Sequence, residues 1–124
     1  MNLYQNYMNQ GKYVFSQIME HVPYYQFNQC VKRYHGDRRS RKLNCRDQFL
    51  AMAFGQLTYR ESLRDIVVCL ESQRKKLYHL GFSLSVIKRS TLSDANYSKD
   101  WRIYRDLAKI LISQAKKLYT DTRS

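Results

Sequence analysis

Phe49-Leu50-Ala51-Met52-Ala53-Phe54-Gly55-Gln56-Leu57 is apolar on nearly every side when wound into a helix. A surface helix keeps one polar face, so this one belongs at the centre of a bundle. Its start is marked by Asn44, a favourable N-cap, and by Asp47 in the first turn. Downstream, Thr58-Tyr59-Arg60-Glu61 has the form of a capping box for a second helix. That helix shows Leu63, Ile66, Val67 and Leu70 at i, i+3, i+4 and i+7.

Upstream, residues 1–11 read as a polar, flexible lead. Val14, Phe15, Ile18 and Met19 then fall on one face of a short helix. Pro23 opens the next helix, which carries Phe27, Cys30, Val31 and Tyr34. Gly36 is expected to end it. Further on, Gly81 stops a turn over Leu77-Tyr78-His79-Leu80. Phe82, Leu84 and Val86 alternate with polar neighbours as in a short extended arm. Ser90 is expected to cap a short helix from Thr91 to about Asn96. Ser98 or Asp100 caps a last helix near 99–119. There Trp101, Tyr104, Ala108, Leu111, Ala115 and Leu118 follow an a/d spacing. This pattern suits a core helix of a bundle better than a dimer seam, because it is short for a coiled coil. The expectation is an all-α, compact bundle of five or six helices over residues 12–124, with a part resembling a helix-turn-helix.

Composition supports one folded domain. The 124 residues are 44% hydrophobic and 14% aromatic, too apolar for a disordered tail. Four Gly and one Pro are few for a tight-turned β fold. No apolar run approaches the ~18 residues of a membrane span, and the start lacks a signal peptide's apolar centre. Cys30, Cys45 and Cys69 are odd in number and form no CxxC pair, which fits a reduced, cytoplasmic protein.

Charge is the strongest chemical signal. Twenty-two Lys and Arg against ten Asp and Glu give a formal charge of +12, which calls for a polyanionic partner. One cluster holds Lys32, Arg33, Arg38, Arg39, Arg41, Lys42 and Arg46 against Asp37 alone. A second holds Arg74, Lys75, Lys76, Lys88 and Arg89. Both suit phosphate contacts on double-stranded DNA. Arg89, Ser90, Thr91 and Asn96 are candidates for reading bases: Arg89 guanine and Asn96 adenine, if they point outward. No catalytic set emerges, because the acids are scattered and two-metal chemistry needs converging carboxylates. Cys30, His35 and Cys45 lack the fourth ligand of a zinc site.

Several stretches carry a family likeness. Lys32-Arg33-Tyr34-His35-Gly36-Asp37-Arg38-Arg39 resembles the N-terminal region of bacterial insertion-sequence-four-type transposases. So do Asp47-Gln48-Phe49-Leu50-Ala51-Met52-Ala53-Phe54 and Gln56-Leu57-Thr58-Tyr59-Arg60-Glu61-Ser62-Leu63-Arg64-Asp65-Ile66. Lys76-Leu77-Tyr78-His79-Leu80-Gly81-Phe82, Arg89-Ser90-Thr91-Leu92-Ser93-Asp94-Ala95-Asn96 and Asp100-Trp101-Arg102-Ile103-Tyr104 continue the likeness. It covers roughly residues 14–119. It implies a helical, non-catalytic domain that recognises the terminal inverted repeats of an insertion sequence in a bacterial cytoplasm, on the nucleoid. The family's RNase H-like catalytic domain, with its Asp-Asp-Glu triad, would follow this region. Divalent metal, Mg, is expected there, and no cofactor in this segment. Partners implied are double-stranded DNA, that catalytic domain and, on an alternative reading, a second copy. Alternatives are a dimerisation module or a truncated transposase acting as a repressor.

Overall fold

The computed structural model describes residues 14–38 and 43–123. The lead over residues 1–11 lies outside them. The described residues form six helices and no strand, so the fold is all-α. α1 covers residues 14–20, α2 Tyr24–Arg33, α3 Cys45–Leu57, α4 Leu63–Ser72, α5 Arg89–Ser98 and α6 Trp101–Arg123.

α3 is central, as its all-round apolarity requires. Leu50, Ala51, Phe54 and Gly55 are buried within it. It touches α4 and α5, which also touch each other, while α6 packs along α2. Two apolar clusters result. The larger joins Phe15, Leu50, Phe54, Ile66, Leu70, Leu77, Phe82 and Leu92. The smaller joins Phe27, Cys30, Val31, Cys45, Ile103 and Leu107, and Phe49 of α3 packs against both. Phe15 meets Phe54 edge to face, with centroids 5.4 Å apart.

The helix ends depart from the sequence expectations in an instructive way. α2 closes in a Schellman motif: Gly36 N–H donates to Val31 O at 2.8 Å and His35 N–H to Lys32 O. The left-handed residue is His35, at φ 53, not Gly36. Gly36 is needed for space instead. A Cβ there would lie 2.6 Å from Ile103 Cδ1 and 2.7 Å from Cys45 Sγ. α3 ends the same way, with Tyr59 at φ 61 and Arg60 N–H donating to Gly55 O at 2.8 Å. Thr58 therefore belongs to the end of α3, and its hydroxyl donates to Phe54 O. The capping role expected of Thr58 falls to Ser62, which accepts from Asp65 N–H at 3.1 Å.

Other local corrections follow from tertiary contact. α1 buries Phe15 and Met19 but leaves Val14 and Ile18 exposed. Residues 73–88 form two 3₁₀ turns, Arg74–Lys76 and Tyr78–Leu80, around buried Leu77. Gly81 then turns at φ 98. Phe82 and Ile87 are buried and Val86 is not, so no alternating arm forms. The long connection also departs from the 3–4 residue turn of a simple helix-turn-helix. α5 starts after Lys88, with Ser90 already inside the helix. Asp100 opens α6 by accepting from Arg102 N–H at 3.0 Å, while the Ser98 hydroxyl donates to Asp94 O. Among the described residues, the first half of α6 enters the core, through Ile103 and Leu107. Trp101 and Leu118, expected on the seam, are 65% and 69% exposed.

Candidate nucleic-acid interface

The first basic cluster stands where α2 turns into α3. Lys32 and Arg38 are exposed. Arg39, Arg41 and Lys42 lie outside the described residues. Arg46 is exposed, and its guanidinium lies over the Tyr24 ring at 4.4 Å. Arg33 is differently placed. Its Nη1 meets the Asp106 carboxylate of α6 at 2.7 Å, so it fastens α2 to α6 as well as carrying charge. Asp37 is also occupied. It accepts from Cys45 N–H at 2.8 Å and pairs with the nearly buried Lys99 ammonium at 3.3 Å. Lys99 Nζ donates to Gly36 O as well, at 2.8 Å.

The second cluster is carried on the 3₁₀ turns and the start of α5. Lys75 and Lys76 are exposed beside Leu77, whose burial fixes the turn. Arg74 stands 3.6 Å from Glu71. Lys88, Arg89 and Ser90 are exposed, and Thr91 is half-buried. Asn96 is exposed, and its side chain also meets α3. Its amide oxygen accepts from Gln48 Nε2 at 2.7 Å, and its amide nitrogen approaches Met52 Sδ at 3.4 Å.

The partners of four polar groups were not legible in the sequence. Gln48 is buried and takes the Tyr104 hydroxyl as well as Asn96, so it joins α3, α5 and α6. Asp47 is buried and accepts from Ser83 N–H at 3.0 Å and from the Ser83 hydroxyl. Asp106 accepts from Tyr34 OH at 2.7 Å, from Arg105 Nε at 3.0 Å and from Arg33. The Tyr34 hydrogen bond leads in holding its carboxyl down to about 2, the two guanidinia add to it, and desolvation opposes them. Lys99 is the fourth. Each is a polar residue on an otherwise ordinary helix face or boundary, and only the meeting of distant elements gives it a partner.

Burial pushes up the Cys30 and Cys45 thiols and makes them poor nucleophiles. Cys45 is pushed up to about 12, first by desolvation and then by the Asp37 charge. Among the described residues no three His, Cys, Asp or Glu converge as a metal site, and no helix is long and apolar enough to cross a membrane.

No curated protein and no solved structure matches the chain. One family model matches residues 10–83, which takes in α1 to α4 and the 3₁₀ turns and stops at Ser83, the partner of Asp47. With more than half of its length matched, the chain belongs to the family described as Domain of unknown function (DUF4372).

Proposed function

We propose that the domain binds double-stranded DNA, namely the terminal inverted repeats of an insertion sequence, as the non-catalytic N-terminal part of a transposase. The observation that carries this reading is the division of the cations. Arg33, Lys99, Arg102 and Arg105 face carboxylates within the fold. Lys32, Arg38, Lys75, Lys76, Lys88 and Arg89 stand exposed in the two basic clusters. Such cations suit the displacement of counterions from phosphates. The likeness to insertion-sequence-four-type transposases supplies the biological setting.

Fluorescence anisotropy with labelled inverted-repeat and random duplexes tests the reading. Binding should weaken with salt at a slope of about −0.9 per phosphate neutralised. Arg38→Ala should weaken both duplexes alike, and Arg89→Ala should reduce the preference for the repeat. Absence of duplex binding at low salt would overturn the proposal.

A second reading has its own support. Ile112 is 55% exposed on the half of α6 that leaves the core, which favours a protein contact, such as a second copy. Sedimentation at micromolar concentration separates the two. A clean monomer that binds DNA leaves the first reading alone.

A further inference from the structure

The α2–α6 face carries an arrangement of aromatic rings and guanidinia that takes in Arg33 of the first basic cluster and is otherwise built on α6. Arg105 stands over the Trp101 ring at 5.1 Å. Arg102 stands over Tyr34 at 4.5 Å, with Arg33 6.0 Å away from the same ring. Asp106 and Asp100 fix these guanidinia in place without cancelling all three. Trp101 nevertheless stays 65% exposed, although it is among the largest apolar side chains in the chain. A ring held beside a fixed guanidinium and left open to solvent is a stacking surface.

The charge continues along the helix. Arg102, Arg105, Lys109 and Lys116 recur at i, i+3, i+7 and i+14. At 100° per residue they stay within about 60° of one another and span about 21 Å of helix. Lys109 and Lys116 are exposed. A row of cations of that length follows a sugar–phosphate backbone. A duplex hides its base faces, so an exposed tryptophan at the head of the row suits an unpaired strand.

We propose that this face of α6 binds unpaired, single-stranded DNA, with Trp101, beside the fixed Arg105 guanidinium, stacking on a base and with Lys109 and Lys116 following the phosphates. The inference rests on the DNA-binding reading for the nature of the polymer, but it uses a different surface.

Trp101 is the sole tryptophan, so its fluorescence reports on the site directly. The probe is a twelve-residue thymidine oligonucleotide added to the full chain. It should quench the fluorescence. Trp101→Ala, read by anisotropy of the labelled oligonucleotide, should weaken binding about tenfold. Lys109→Ala and Lys116→Ala should each reduce the salt slope by about 0.7. These three side chains are exposed, and unchanged circular dichroism will show that the variants fold. Duplex binding without oligonucleotide quenching would overturn this proposal alone. Oligonucleotide binding indifferent to all three substitutions would do the same, as would equal quenching by a fully paired duplex. Loss of both duplex and oligonucleotide binding at low salt would overturn both readings.

Discussion

The Asp47 carboxylate grips Ser83 from two sides: one oxygen accepts the Ser83 N–H at 3.0 Å and the other accepts its hydroxyl. A buried residue in the first turn of α3 thus fixes the segment after the 3₁₀ turns. Asp47→Ala should destabilise the domain by about 2–3 kcal/mol, and Ser83→Ala, which keeps the N–H, by about 1 kcal/mol. Urea denaturation measures both. The double variant should lose less than the sum, because both changes remove one interaction. Strict additivity would contradict the linkage.

Asn96 offers a sharper contrast between sequence and structure. Its side chain serves buried Gln48, so Asn96→Ala should cost about 1–2 kcal/mol of stability. It should leave the preference between two DNA sequences unchanged. Urea denaturation and competition anisotropy separate these effects. A change of sequence preference at full stability would favour the base-reading role instead.

His35, and not Gly36, takes the left-handed position that closes α2. Gly36→Ala would force a Cβ to within 2.6 Å of Ile103 Cδ1 and should cost about 1–3 kcal/mol. His35→Gly relieves a left-handed residue at φ 53, so stability should hold or rise. The gain should stay within about 1 kcal/mol, since glycine also loosens the unfolded chain. Greater damage from His35→Gly than from Gly36→Ala would refute the assignment.

The acid limb of stability should carry the signature of Asp106. Its folded carboxyl sits at about 2, below the ordinary unfolded value of about 3.9. A lowered pKa means that the unfolded chain takes up the proton first. The contribution is therefore complete above pH ~4, fades as pH falls and is gone below ~2. Asp106→Asn should flatten the stability profile in that window. Identical slopes for the variant and the parent chain between pH 2 and 4 would exclude the Tyr34–Arg33–Arg105 cluster as the cause.

What was legible in the sequence was governed by local pattern. The apolar run from Phe49 to Leu57 announced a central helix, and Asn44 announced its start, because both signals act within one turn. Phe27, Cys30 and Val31 likewise appeared at their spacing. Thr58 and Ser62 were harder to separate. Both can cap, and only the closing turn at Tyr59 decides that α3 is still ending where Thr58 stands. The seam on α6 misled because an apolar period says which side is greasy, not how far along the helix a partner extends. Charge was visible as composition, but its division into structural and exposed cations depended on where Asp106, Asp37 and Asp100 meet their arginines and lysine.

α6 thus has two mechanical characters in one continuous helix. Its first turns are clamped by Ile103 and Leu107 and can open only when the smaller apolar cluster opens. Residues 112–121 are exposed throughout. Amide exchange should therefore fall into two regimes, slow before Ile112 and fast after it. Arg105 sits in the slow regime and Lys116 in the fast one. A strand laid on this face would find a rigid anchor at one end and a helix turn to be ordered at the other, so the far contacts would add affinity only after an entropic cost.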